Sequence, residues 1–87
     1  MKIIMKPIEM IAWFTDNDIP KPLRYRISTK EGSKQVIRIE KIISVEEEKL
    51  AGNKMFVYTC QSTIRNQTRV FELKYELSTC KWYLSKM

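Results

Sequence analysis

Arg24, Arg26 and Arg38, with Lys21 and Lys34, are the residues whose types and spacing point to a chemistry. That chemistry is recognition of anions. A guanidinium fork donates two hydrogen bonds at once, which suits phosphate. In Leu23-Arg24-Tyr25-Arg26-Ile27-Ser28 the arginines alternate with apolar residues, so a strand here turns Arg24 and Arg26 to one side and Leu23, Tyr25 and Ile27 to the other. A turn over Lys30-Glu31-Gly32-Ser33-Lys34 leads into a longer strand over residues 36–45, with Ile37, Ile39 and Ile43 inward. Facing Ile27 with Ile37 and Tyr25 with Ile39 sets Arg26 opposite Arg38 and Arg24 beside Glu40. Like charges across a ladder repel mildly, and an acidic ligand on that face relieves the repulsion.

The charge distribution supports the same stretch. Residues 21–45 carry Lys21, Arg24, Arg26, Lys30, Lys34, Arg38 and Lys41 against Glu31 and Glu40, which is +5 of a net +6. Two readings of this basic hairpin stand side by side. Outer lysines and arginines keep a sheet soluble and its edges unpaired. They also suit a small β-barrel that presents a curved face to single-stranded nucleic acid, with basic residues on the backbone and aromatics on the bases. Trp13 and Tyr83 are the two aromatics that the pattern sends outward. An alternative is a protein-interaction or self-association surface, a homo-oligomer included, built on Trp13, Tyr83 and outward Met55 or Val57.

Other chemistries have little to stand on. The chain has no histidine to act as a base near neutral pH, no glycine-rich phosphate loop and no nucleophile elbow. Enzymatic activity and a cofactor are therefore not expected. Two cysteines, Cys60 and Cys80, fall short of the four Cys/His ligands of a structural zinc site. Both read as reduced thiols, Cys60 as a small hydrophobe of the core and Cys80 in a turn beside Lys81. Asp16 and Asp18 lack the glycine and downstream glutamate of a calcium loop. Glu46, Glu47 and Glu48 read as a solvated charge run.

The elements that must hold the basic hairpin are strands. Between Met55 and Leu84, Phe71, Leu73, Tyr75 and Leu77 alternate with Val70, Glu72, Lys74 and Glu76, an apolar wall backed by a charged one. A four-residue turn over 65–68 pairs Phe71 with Ser62, Leu73 with Cys60, Tyr75 with Tyr58 and Leu77 with Phe56. A turn around Thr79-Cys80 then pairs Leu77 with Trp82 and Tyr75 with Leu84, on the same inner face. This register sends Met55 and Val57 outward; an odd-length loop at 65–68 would exchange the faces of that strand. Residues 7–15 are apolar on nearly every position and suit a strand covered on both sides. Ile19-Pro20-Lys21-Pro22 reads as an extended connector or sheet edge. Lys41-Ile42-Ile43 breaks alternation and predicts a bulge or bend. Ser44 to Glu47 matches a capping box for one helical turn, although a strand running to an Ala51-Gly52-Asn53 turn explains the same residues. The expected architecture is all-β: a small barrel-like antiparallel meander of five or six strands with little or no helix.

The runs PLRYRI, VIRIEKII, MFVYTCQS and RVFELKYELSTCKWYL resemble, in this order over about residues 7–85, a family of short uncharacterised all-β bacterial proteins. They are also distantly similar to small β domains of unknown function encoded near bacterial DNA-repair polymerases. Those share a proline–aromatic–basic strand, a valine-rich strand and a final hairpin with tryptophan, but this chain lacks their tryptophan-rich middle. The resemblance implies an all-β fold and a bacterial origin. It transfers no activity and no site residue.

Eighty-seven residues, 30% charged and 44% hydrophobic, make one domain rather than a disordered tail, with the core over about 7–85 and residues 1–6 as a loose extension. No apolar run approaches the roughly 20 residues that span a bilayer, and Lys6, Pro7 and Glu9 interrupt any signal-like core. No membrane partner is expected, and the expected location is cytoplasmic.

Overall fold

A computed structural model describes residues 1–17 and 19–87; Asp18, half of the acidic pair weighed against a calcium loop, lies outside the described residues. Among the described residues seven strands form: β1 (Ile3–Trp13), β2 (Lys21–Ser28), β3 (Lys34–Arg38), β4 (Lys41–Leu50), β5 (Asn53–Ile64), β6 (Gln67–Glu76) and β7 (Lys81–Lys86). They join in one antiparallel sheet of order β3-β2-β1-β7-β6-β5-β4, curled into a half-barrel with no helix among the described residues.

The strand count exceeds the expected five or six because the run 36–45 is two strands. β3 pairs with β2 and β4 pairs with β5, so consecutive strands lie at opposite edges of the sheet order. Only Ile39 and Glu40 separate them, which forces the sheet to curl and brings β3 against β5. Peptide groups at such a bend leave the ladder and need other partners. The Ile39 N–H donates to the Leu23 carbonyl at 2.9 Å. Ser62, fully buried on β5, donates to the Arg38 carbonyl at 2.7 Å and accepts from the Glu40 N–H at 3.3 Å. β1 makes the matching transition on the other side: Ile3 to Ile8 pair with β7, and Glu9 to Trp13 with β2. Residues 1–6 are not the loose extension expected, since Lys2 and Met87 exchange backbone hydrogen bonds of 2.8 and 2.9 Å and Ile3 already belongs to β1.

Every expected inner residue of β5, β6 and β7 from Phe56 to Leu84 faces inward, but the register differs by two residues. Phe71 pairs with Cys60, Leu73 with Tyr58 and Tyr75 with Phe56. The turn has two residues rather than four: Arg65 and Asn66, at φ 51° and 64°, join Ile64 directly to its partner Gln67, the primed geometry that matches strand twist. The next turn also moves the register by two but by lengthening, from the expected Thr79-Cys80 to residues 77–80, and pairs Tyr75 with Trp82 and Leu73 with Leu84. Even shifts preserve the face, so the core forms as the alternation requires. Tyr25, Ile37, Phe56, Tyr58, Cys60, Phe71, Leu73, Tyr75, Trp82 and Leu84 are its buried members, and Trp82 stacks at 4.7 Å from Tyr75 and 5.4 Å from Tyr58.

Met55 and Val57 keep the outer face yet are only 9% and 8% exposed. Their ladder neighbours there are Glu48, Glu76, Glu46 and Lys74, whose methylene stems cover apolar surface. Lys74 and Glu48 stand on either side of β5 and form an ion pair at 3.1 Å that bridges it. Two further expectations change at bulges. A register shift at Ala12 leaves Pro22 buried and Leu23 exposed, and one before Ser44 turns Ile43 outward and Ile42 toward the core. Ser44 to Glu47 is strand, and Ala51-Gly52 is the turn that ends it.

The bend is testable. Ser62→Ala leaves the Arg38 carbonyl and Glu40 N–H without their buried partner, so urea denaturation should show a loss of about 1–3 kcal/mol. Loss of less than about 0.5 kcal/mol would mean that the bend is held by strand connectivity alone.

Candidate anion-binding groove

The β2–β3 hairpin closes through a five-residue loop. The Thr29 N–H donates to the Ser33 carbonyl at 2.7 Å, the Gly32 N–H to the Thr29 carbonyl at 3.1 Å, and Gly32 takes φ 81°, a conformation glycine adopts without steric cost. Ser28 therefore pairs with Lys34, Tyr25 with Ile37 and Arg24 with Arg38. The like-charged pair across the ladder is Arg24/Arg38, not the expected Arg26/Arg38, and Arg26 faces Val36. The loop keeps the five residues that the sequence reading assumed but begins one residue earlier, at Thr29 rather than Lys30, which moves the register by two.

Arg26 is engaged elsewhere. Glu9, its ladder partner on β1, accepts from Arg26 Nη2 at 2.5 Å and Nε at 3.3 Å, and from Lys34 Nζ at 2.6 Å. Hydrogen bonds from Arg26 first, then Lys34, hold the Glu9 carboxyl down at about 2, against an ordinary value of 4.5, and the same contact raises Arg26. All three side chains are about half exposed, so water screens the cluster and its contribution to stability is small. Its consequence is local neutralisation: two of the five expected anion-binding residues, Arg26 and Lys34, already hold a carboxylate.

The other three come together. Lys21, Arg24 and Arg38 line a concavity at the β3–β4 bend, joined there by Lys41 and Glu40. Arg38 continues into the seam between β3 and β5, where Arg65 meets it. Arg65 then borders a third concavity with Lys6, Lys30 and Arg69. The three adjoin through shared residues, Arg38 and Arg65, and carry eight cationic side chains. Among the described residues Glu40 is the one Asp or Glu side chain on their walls, and it accepts from Thr63 Oγ1 at 3.1 Å. Among the described residues none of Lys21, Arg24, Arg38, Lys41, Arg65 and Arg69 forms an ion pair. Sequence reading missed Arg65 and Arg69 because they are remote in the chain from the basic hairpin until the curled sheet brings the β5–β6 turn against it. An arginine inside a two-residue turn was the available signal.

Trp13 is 63% exposed and pairs with Lys21 across the β1–β2 ladder, so its ring stands beside the first concavity. Tyr83 is not the exposed aromatic expected. It lies half-buried in the middle of the sheet, between Pro7 of β1 and Lys74 of β6. Phe14, exposed beside Trp13, meets the Tyr75 ring edge-on at 5.8 Å. Cys60 is buried, which pushes its thiol up to about 12, and Cys80 is exposed; both are free. Among the described residues no cluster of three or more His, Cys, Asp or Glu could hold a metal ion, and no helix is long and apolar enough to cross a membrane.

The Glu9 cluster sets a pH signature. A depressed carboxyl stabilises the fold fully above its unfolded value near 4.5, and that stabilisation is lost as pH falls through about 2. Carboxyl NMR titration should place Glu9 near 2 in the wild type and near 4 once Arg26→Gln and Lys34→Gln remove both donors. A Glu9 midpoint near 4 in the wild type would mean that the three side chains do not associate.

No protein-family model, curated protein or solved structure matches the chain.

Proposed function

We propose that this chain is a non-catalytic module that binds single-stranded nucleic acid along the groove from Lys21 to Arg69. The carrying observation is charge segregation: among the described residues eight cationic side chains line three adjoining concavities that hold one Asp or Glu side chain. A strand of phosphates relieves the repulsion between Arg24 and Arg38 and meets forks able to donate in pairs. Trp13, beside Lys21, supplies a face on which a base can stack. Bacterial origin and a cytoplasmic setting belong to the same proposal, supported by the sequence resemblance and the free thiols Cys60 and Cys80.

A second reading, self-association, has one observation of its own. Ile11, Trp13 and Val36 are all more than half exposed on the outer side of β1 and β3, an apolar surface of the kind that pairs proteins. Sedimentation separates the two: association of copies grows with protein concentration in the absence of any oligonucleotide.

Fluorescence titration with a short single-stranded oligonucleotide tests the first reading. If about four phosphates are engaged, the logarithmic salt slope is about −3, and raising salt from about 50 to 200 mM weakens binding roughly 50-fold. Arg24→Gln with Arg38→Gln should flatten the slope by about 1.4. Glu9→Gln, which releases Arg26 and Lys34, should tighten binding and steepen the slope. Absence of binding at micromolar protein in about 50 mM salt overturns the proposal.

A further inference from the structure

The third concavity differs from the other two. It lies on the inner side of the half-barrel at its open end and measures about 400 Å³, within the range of small-ligand sites, which favour the mouths of β-barrels. Its walls are aliphatic: Ile27, Ile37 and Ile64, with Ile4 and Leu84. Its rim carries Lys6, Lys30, Arg65 and Arg69 and, among the described residues, no Asp or Glu side chain. Lys6 Nζ donates to the Ser28 carbonyl at 2.5 Å, which anchors the side chain without cancelling its charge.

A separate observation points to an absent partner. Tyr25 is 1% exposed, its ring packs edge-on against Phe71 at 5.6 Å, and its side chain lies on the same inner face as Ile27 and Ile37. Its hydroxyl is the one buried side-chain polar atom without a hydrogen-bond partner among the described residues. Tyr58, the comparable core tyrosine, donates its hydroxyl hydrogen bond to the Pro20 carbonyl at 2.5 Å. An unsatisfied buried hydroxyl is costly, and Tyr25 lines this concavity. Burial keeps the hydroxyl protonated, so it stands as a donor.

We infer that the open end of the half-barrel binds an amphipathic carboxylate, a short aliphatic chain bearing one anionic head. The chain lies along the isoleucines; the head accepts from the Tyr25 hydroxyl and is covered by Arg65 and Arg69. This site does not depend on the nucleic-acid reading, although Arg65 and Arg69 serve both.

The probe is sodium octanoate, followed by calorimetry and by methyl NMR of the isoleucines. Octanoate should saturate with shifts confined to Ile4, Ile27, Ile37 and Ile64, while octanol, with the same chain and no charge, should bind at least about tenfold more weakly. Arg65→Gln with Arg69→Gln, both on exposed positions, should weaken octanoate by about tenfold. Tyr25→Phe should weaken it similarly, and its ligand-free thermal midpoint should not fall. If Tyr25→Phe does not fold, the arginine variant and the methyl shifts decide. Arg24→Gln with Arg38→Gln should leave octanoate binding unchanged, so failure of either site is read apart from the other. Octanol binding as tightly as octanoate, shifts at other methyls, or no saturation by about 10 mM (a free energy under about 3 kcal/mol) overturns the inference.

Discussion

The constraint on which the structure depends is that two strands at opposite edges of a sheet are separated by only two residues of chain. β3 ends at Arg38 and β4 begins at Lys41, so a flat sheet is not available to this sequence. The sheet curls, and one buried serine hydroxyl serves the two peptide groups that the bend strands. From that follow the enclosed aromatic core, the seam between β3 and β5, and the meeting of cations from distant parts of the chain. β1, changing partners near Ile8, supplies the opposite wall without a break in the chain.

Charge follows the same geometry. On the outer face of β1, β2 and β3 a single carboxylate, Glu9, holds two cations. One row further along, Arg24 and Arg38 face each other with no such neighbour. The basic hairpin is thus divided into a satisfied half and an unsatisfied half by the position of one glutamate on an adjacent strand. Like charges placed together in a small fold, at some cost in stability, are features that a ligand can offset.

The fold was legible in the sequence to the extent that side-chain alternation encodes it. Phe71, Leu73 and Tyr75 declared the inner face of β6, and the break at Lys41-Ile42-Ile43 announced the bulge before Ser44, whereas the bend at Ile39-Glu40 fell inside a run that read as one strand. Turn length was less legible, because Arg65-Asn66 contains no glycine and arginine is an unusual occupant of positive φ. The resulting two-residue shifts left the core unchanged. The same kind of shift altered the candidate site, since outer-face chemistry depends on which residue faces which, whereas a core needs only the correct side. Glu9 lies in a run that read as apolar and doubly covered, so its capture of Arg26 and Lys34 was not visible. Burial of Met55 and Val57 was hidden for a related reason: charged side chains do the covering.

The bend at Ile39-Glu40 also determines where the molecule is weakest. β5 holds β6 through a full ladder, whereas it holds the β3–β4 junction through the two hydrogen bonds of Ser62 and one from Thr63 Oγ1 to Glu40. Local opening is therefore expected at this seam before the β5–β6 ladder. In hydrogen exchange the Glu40 amide should then be deuterated before those of Phe71 and Leu73.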